Sequence, residues 1–166
     1  MKPNVFWIAV ILWIGVIFYF TSQPAEISRK QSGELLEKAG VIEESEVDIS
    51  VPKNNRETYV TKAQNIIRKS AHVIEYLMLG ILATMAVTYK QGLRVLNITV
   101  SFVLCLAIAS LDEFIQKFVP GRGSLISDVG IDAIGFCVGI AIIILIELVV
   151  MYIGKYRGNS KISISG

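Results

Sequence analysis

Four long apolar runs constrain this chain more than any other feature. They extend from Val5 to Phe20, from about Ala71 to Tyr89, from about Val95 to Phe118 and from about Val129 to Ile153. A helix needs roughly 20 residues to cross a hydrocarbon core ~30 Å thick, and runs two to four meet that length. The first is shorter, but it carries no charge and is completed by Asn4 and Thr21. Lipid offers no partner for backbone N–H and C=O groups, so such runs fold as helices. The expectation is an all-α, polytopic membrane protein of one domain, 1–166. Four transmembrane helices, at about 4–21, 70–89, 95–118 and 128–153, form an antiparallel bundle, and an outer loop at 22–69 contains short amphipathic helices. A cleaved signal peptide is the alternative for the first run. Its exit, Phe20-Thr21-Ser22-Gln23-Pro24-Ala25, lacks a small-x-small pair, which favours an uncleaved anchor.

Composition agrees. Apolar residues make up 53% and charged residues 18% of the chain, against about 45–50% and about 25% in soluble domains. The net charge of +2 comes without a basic block, which excludes a nucleic-acid partner. Cys105 and Cys137 lie in apolar runs and read as small packed side chains rather than a disulfide or a zinc site. His72 is the sole histidine, so a His-rich metal site within the chain is excluded.

Lys and Arg in short loops mark the cytoplasmic side of a membrane protein. Lys2, the loop Lys90-Gln91-Gly92-Leu93-Arg94 and the tail residues Lys155, Arg157 and Lys161 share one side of a four-span chain. The N- and C-termini are therefore expected in the cytoplasm, with the chain in the bacterial cytoplasmic membrane. In the outer loop, Ser28 and Gln31 suggest a capping box for a helix ending at Gly40. Residues 41–55, acidic at first and ending with Pro52 and Asn54-Asn55, read as loop. A helical pattern from Glu57 suggests an interfacial amphipathic helix leading into the second span; a solvated loop that becomes helical only at Ser70 is the alternative.

Ionisable residues inside spans cost about 2.5–3.5 kcal/mol each at mid-depth, so their positions are informative. Arg68, His72, Glu75 and Tyr76 share one face of the second span, with Lys69 beside them. Asp112, Glu113 and Gln116 end the third. Arg122 follows in a tight Val119-Pro120-Gly121 turn, and Asp128 and Asp132 open the fourth. With Ser22, Gln23 and Pro24 these converge on the outer face; Glu147 is the exception. Counting back from Tyr152 puts Asp132 at the outer boundary and Asp128 about 6 Å beyond it. The result is a pocket open to the headgroup region. Gly135 and Gly139 read as a helix-packing pair.

The combination Arg68-Lys69-x-x-His72-x-x-Glu75-Tyr76-x-x-Leu79-Gly80, Asp112-Glu113-x-x-Gln116-x-Phe118-x-Pro120-Gly121-Arg122 and Asp128-x-x-x-Asp132-x-x-Gly135-x-x-x-Gly139 resembles the VanZ-like family. Ser22-Gln23-Pro24 with Ser28 is similar to that family's opening motif. The resemblance covers nearly the whole chain outside 29–57. It implies a small polytopic bacterial envelope protein related to one linked to resistance to the glycopeptide teicoplanin, without implying a settled activity. Asp132 departs from the family pattern, where Asn is common.

Three chemistries fit. In the first, the pocket binds or modifies a membrane lipid or lipid-linked envelope precursor through its anionic headgroup. Arg68, Lys69 and Arg122 hold a phosphate, assisted by Tyr76, Gln116, Asp128, Asp132, Ser22 and Gln23. His72, Glu75, Asp112 and Glu113 are the catalytic candidates. No cofactor is established by the sequence; Mg²⁺ or Ca²⁺ at Asp112, Glu113, Asp128 and Asp132 is the metal expectation, since these ions prefer oxygen ligands. In the second, the protein binds or displaces a lipophilic glycopeptide antibiotic or its target without catalysis. The third, proton-coupled transport, ranks last, because the inner halves of spans two and three are almost wholly apolar. Spare apolar faces would allow a homo-oligomer.

Overall fold

The structure, a computed structural model, describes residues 5–38, 53–122 and 126–162. These form five helices and no strand: α1 (Val5–Thr21), α2 (Ala25–Lys38), α3 (Lys53–Thr88), α4 (Val95–Gln116) and α5 (Ile126–Ile162). Thr61–Thr88, Val95–Gln116 and Ser127–Lys155 are each long and apolar enough to cross a membrane. The 17 residues of α1 rise ~25 Å, just short of a full crossing. It qualifies when joined to α2, from which it is bent by 99°.

Three helix starts differ from expectation. α2 begins at Ala25, because the Pro24 carbonyl accepts the N–H groups of Ile27 (3.1 Å) and Ser28 (3.3 Å). Pro24 has its φ preset and no N–H to leave bare, which suits a helix start. Ser28 therefore sits inside the helix and the capping box is not formed. α3 is one unbroken helix of 36 residues, ~54 Å long, with neither Gly nor Pro between Lys53 and Leu79 to interrupt it. The stretch from Glu57 is thus helical and continuous with the span, as expected, and the alternative of a loop up to Ser70 does not hold. α5 begins at Ile126, so Asp128 lies in its first turn, where a carboxylate complements the helix dipole. Of the expected 41–55 loop, 53–55 are helical. Residues 39–52, including Gly40, lie outside the described residues.

Contacts along the helices fix their directions. Phe6 meets Tyr89 edge-on at 5.4 Å, Trp13 Nε1 donates to the Glu75 carbonyl at 2.9 Å, and the Thr21 hydroxyl donates to Asp112 Oδ1. α1 therefore runs antiparallel to α3 and parallel to α4. α5 returns parallel to α3, with Lys69 opposite Asp128 and His72 opposite Asp132. This α3–α5 crossing is so close that backbones touch. A Cβ at Gly80 would collide with the Phe136 carbonyl, one at Gly135 with the Val73 carbonyl and one at Gly139 with the Leu77 carbonyl. Gly135 and Gly139 pack as expected, and Gly80 answers them from α3. Tyr76, Leu79, Ala83, Cys105, Ala109 and Phe136 form the buried core around the crossing.

The end carrying the Lys90–Arg94 loop holds four buried polar residues that the apolar reading of the inner halves passes over: Thr84, Thr88, Asn97 and Ser101. Three bond to the carbonyl four residues back in their own helix. Asn97 Nδ2 donates to the Gly92 carbonyl at 2.8 Å. Each is satisfied locally, so no polar path leads through the bundle by way of these four.

Candidate functional site

At the other end, where α1, α3 and α4 meet the start of α5, the polar residues separate into a buried centre and an open cavity. Asp112 is fully buried, and both its oxygens accept hydrogen bonds, from the Thr21 hydroxyl and from Gln116 Nε2 at 3.2 Å. Asp132, 2% exposed, sets Oδ1 3.6 Å from His72 Nδ1; its Oδ2 has no hydrogen-bond partner among the described residues. The Tyr76 hydroxyl is buried without a hydrogen bond of normal geometry. Asp112 and Asp132 are the charges that act on it most. His72, Asp112 and Asp132 can each place a ligand atom within 4.8 Å of the other two.

The four acids divide between this centre, with Asp112 and Asp132, and a cleft beside it, lined by Glu113, Asp128 and Asp132. Asp128 turns to Lys69, with Nζ–Oδ1 at 3.2 Å. Asp128 and Glu113 line a narrow cleft of about 20 Å³ with Arg68, Lys69, His72, Gln116 and Asp132. Of the four acids expected to hold Mg²⁺ or Ca²⁺, Asp112 and Asp132 stand with the His72 imidazole. The centre is also drier than a pocket open to headgroups, because Asp112, Glu113, Gln116 and Asp132 are all buried by protein.

The open cavity has a volume of about 230 Å³ and lies between the α1–α2 corner and α3. Arg68, His72, Glu75 and Arg122 form its polar wall; Gln23, Ser28, Gln31 and Ser32 face them from the corner and α2; Phe20, Leu35, Ile67 and Ala71 supply its apolar surface. Arg122 reaches it because Gly121 adopts φ 74°, a conformation that favours glycine. The turn is tied to the corner by Arg122 Nη2 donating to the Phe20 carbonyl at 2.9 Å and Ala25 N–H donating to the Pro120 carbonyl at 3.3 Å. Burial, and then the neighbouring Arg68, pull the Arg122 pKa below its ordinary value, against the opposing pull of Asp112, Glu75 and Glu113. Arg122 Nε is buried with no hydrogen-bond partner among the described residues. Two guanidinium groups facing one cavity suit an anion, and an imidazole beside a carboxylate can act as an acid–base pair.

Most of the expected site residues are brought together. Ser22 is not: it is exposed, and its hydroxyl donates to its own helix at the Phe18 carbonyl, 2.7 Å away. Its neighbour Thr21 points inward instead, to Asp112. That role is hidden in the sequence, since a threonine at the end of an apolar run carries no mark of a partner 91 positions away.

The model of one protein family, described as VanZ/LLP1, matches residues 6–147. The chain belongs to the VanZ/LLP1 family. The match spans α1 to most of α5 and takes in every residue of the buried centre and the cavity. No curated protein and no solved structure matches the chain.

Proposed function

We propose that this VanZ/LLP1 protein binds the anionic headgroup of a lipid, or of a lipid-linked envelope precursor, in the cavity beneath α2, from the outer side of the bacterial cytoplasmic membrane. The observation that carries the reading is the presence of both Arg68 and Arg122 on the polar wall of a cavity of about 230 Å³ that also has an apolar surface. A phosphate meets two guanidinium groups there, and the first methylenes of its lipid meet Phe20, Leu35 and Ile67. The outward direction is supported by the basic loop Lys90–Arg94 and by Lys155, at the opposite end of the bundle. His72 and Glu75, on the same wall, are the groups available to move a proton if the headgroup is modified as well as bound.

The test is binding of a polyprenyl phosphate to the purified protein in detergent, against the corresponding uncharged prenol. Phosphate should be preferred, and Arg68→Gln or Arg122→Gln should remove the preference. Equal binding of both lipids would overturn the reading. A second reading, in which the protein binds or displaces a lipophilic glycopeptide antibiotic, draws on the apolar wall. It requires that teicoplanin resistance conferred by the protein survive Arg122→Gln, whereas the headgroup reading requires its loss.

A further inference from the structure

We propose that His72, Asp112 and Asp132 form a binding site for one divalent transition-metal ion. The three ligand atoms lie within 4.8 Å of one another and come from three different helices, α3, α4 and α5. A second, independent feature points the same way: Asp132 is 2% exposed, and its Oδ2 has no hydrogen-bond partner among the described residues. A buried carboxylate oxygen without a donor is costly. The other oxygen of that carboxylate lies 3.6 Å from His72 Nδ1, so a metal ion held by this carboxylate would compensate the bare atom.

The surroundings are those of a ligand set. Asp112 is held by Thr21 and Gln116, and outer hydrogen bonds of this kind orient metal-binding carboxylates. The donor chemistry selects the ion. One imidazole nitrogen with two carboxylate oxygens suits Zn²⁺ or Mn²⁺, whereas Mg²⁺ and Ca²⁺ favour oxygen alone and keep several waters. Three protein ligands leave a coordination position open, and His72 also lines the cavity.

The site is independent of the headgroup reading, and its test contains no phosphate lipid. The full-length protein in detergent is stripped with chelator, dialysed against micromolar Zn²⁺ or Mn²⁺, and assayed for bound metal and thermal midpoint. About one ion per chain is expected, with a midpoint that falls on chelation and returns on adding metal, and with no competition from excess Mg²⁺. Asp132→Asn, which preserves shape, and His72→Gln should each weaken binding at least tenfold. Glu147→Gln, another carboxylate in the same helix, should not. Absence of retained metal in the unsubstituted protein would overturn the proposal, and so would equal loss or equal retention in all three variants. A chelator-insensitive midpoint would also overturn it, leaving a proton shared between His72 and the two carboxylates to hold the centre together.

Discussion

At the scale of single residues, the buried centre and the cavity obey opposite rules. Asp112 is buried with both oxygens bonded, so removing a donor is expensive. Thr21→Val deletes one hydroxyl while keeping its shape, and should cost about 1–3 kcal/mol; Thr21→Ser should restore most of it. Thermal or chemical unfolding in detergent reads the difference. Arg122 behaves the other way. Its pKa lies below the ordinary value in the folded chain, so its charged form is less favoured there than in the unfolded chain. For a base this means the charged form carries a cost in the folded chain, which the hydrogen bond from Arg122 Nη2 to the Phe20 carbonyl offsets. Arg122→Gln removes both the cost and the hydrogen bond, so it should shift the thermal midpoint only slightly at neutral pH while losing phosphate binding. A midpoint that falls at neutral pH and recovers in acid would instead mean that Arg122 chiefly balances the carboxylates. The charged members of the site were legible in the sequence because an ion inside an apolar run has no cheap explanation. Thr21 was not, and Ser22 drew attention in its place; neighbours on a helix point about 100° apart, and the sequence does not say which faces inward.

At the scale of helices, the α3–α5 crossing places His72 against Asp132, and three glycines make that approach possible. Gly139→Ala puts a methyl into the Leu77 carbonyl, where backbone on both sides has no room to yield. Overpacking of this kind costs about 1–3 kcal/mol, and the loss should appear as a lower midpoint and a lower level in the membrane. Gly130→Ala, in the same helix with open space around it, should be neutral or slightly stabilising, since alanine is about 1 kcal/mol the better helix former. Equal loss for both would mean that helix propensity, not the crossing, sets the effect. Gly135 and Gly139 were legible from their four-residue spacing. Gly80 was not, because its answering role depends on which helix lies across from it. Helix starts were the least legible part. The helical pattern from Glu57 marks the start of α3 to within four residues, whereas only local backbone bonding, such as that to the Pro24 carbonyl, decides where α2 begins.

At the scale of the molecule, every feature assigned a role lies at one end of the bundle, so the side of the membrane that end faces decides which ligands can reach it. The alternating directions of α1, α3, α4 and α5 put the Lys90–Arg94 loop and Lys155 at the opposite end. That distribution of charge predicts a cytoplasmic loop and an outward cavity. Cysteine labelling with an impermeant reagent on intact cells tests it, with Cys105 and Cys137 replaced by alanine. A cysteine at Glu26, exposed on α2, should be labelled; one at Gln91, exposed in the basic loop, should react only after permeabilisation. Gln91 is a better site than Gly92, whose φ of 69° would strain any other residue. Labelling at Gln91 alone would turn the cavity toward the cytoplasm. An antibiotic acting from outside would then have no access to Arg68 and Arg122, and the anion they hold would have to be sought among cytoplasmic headgroups.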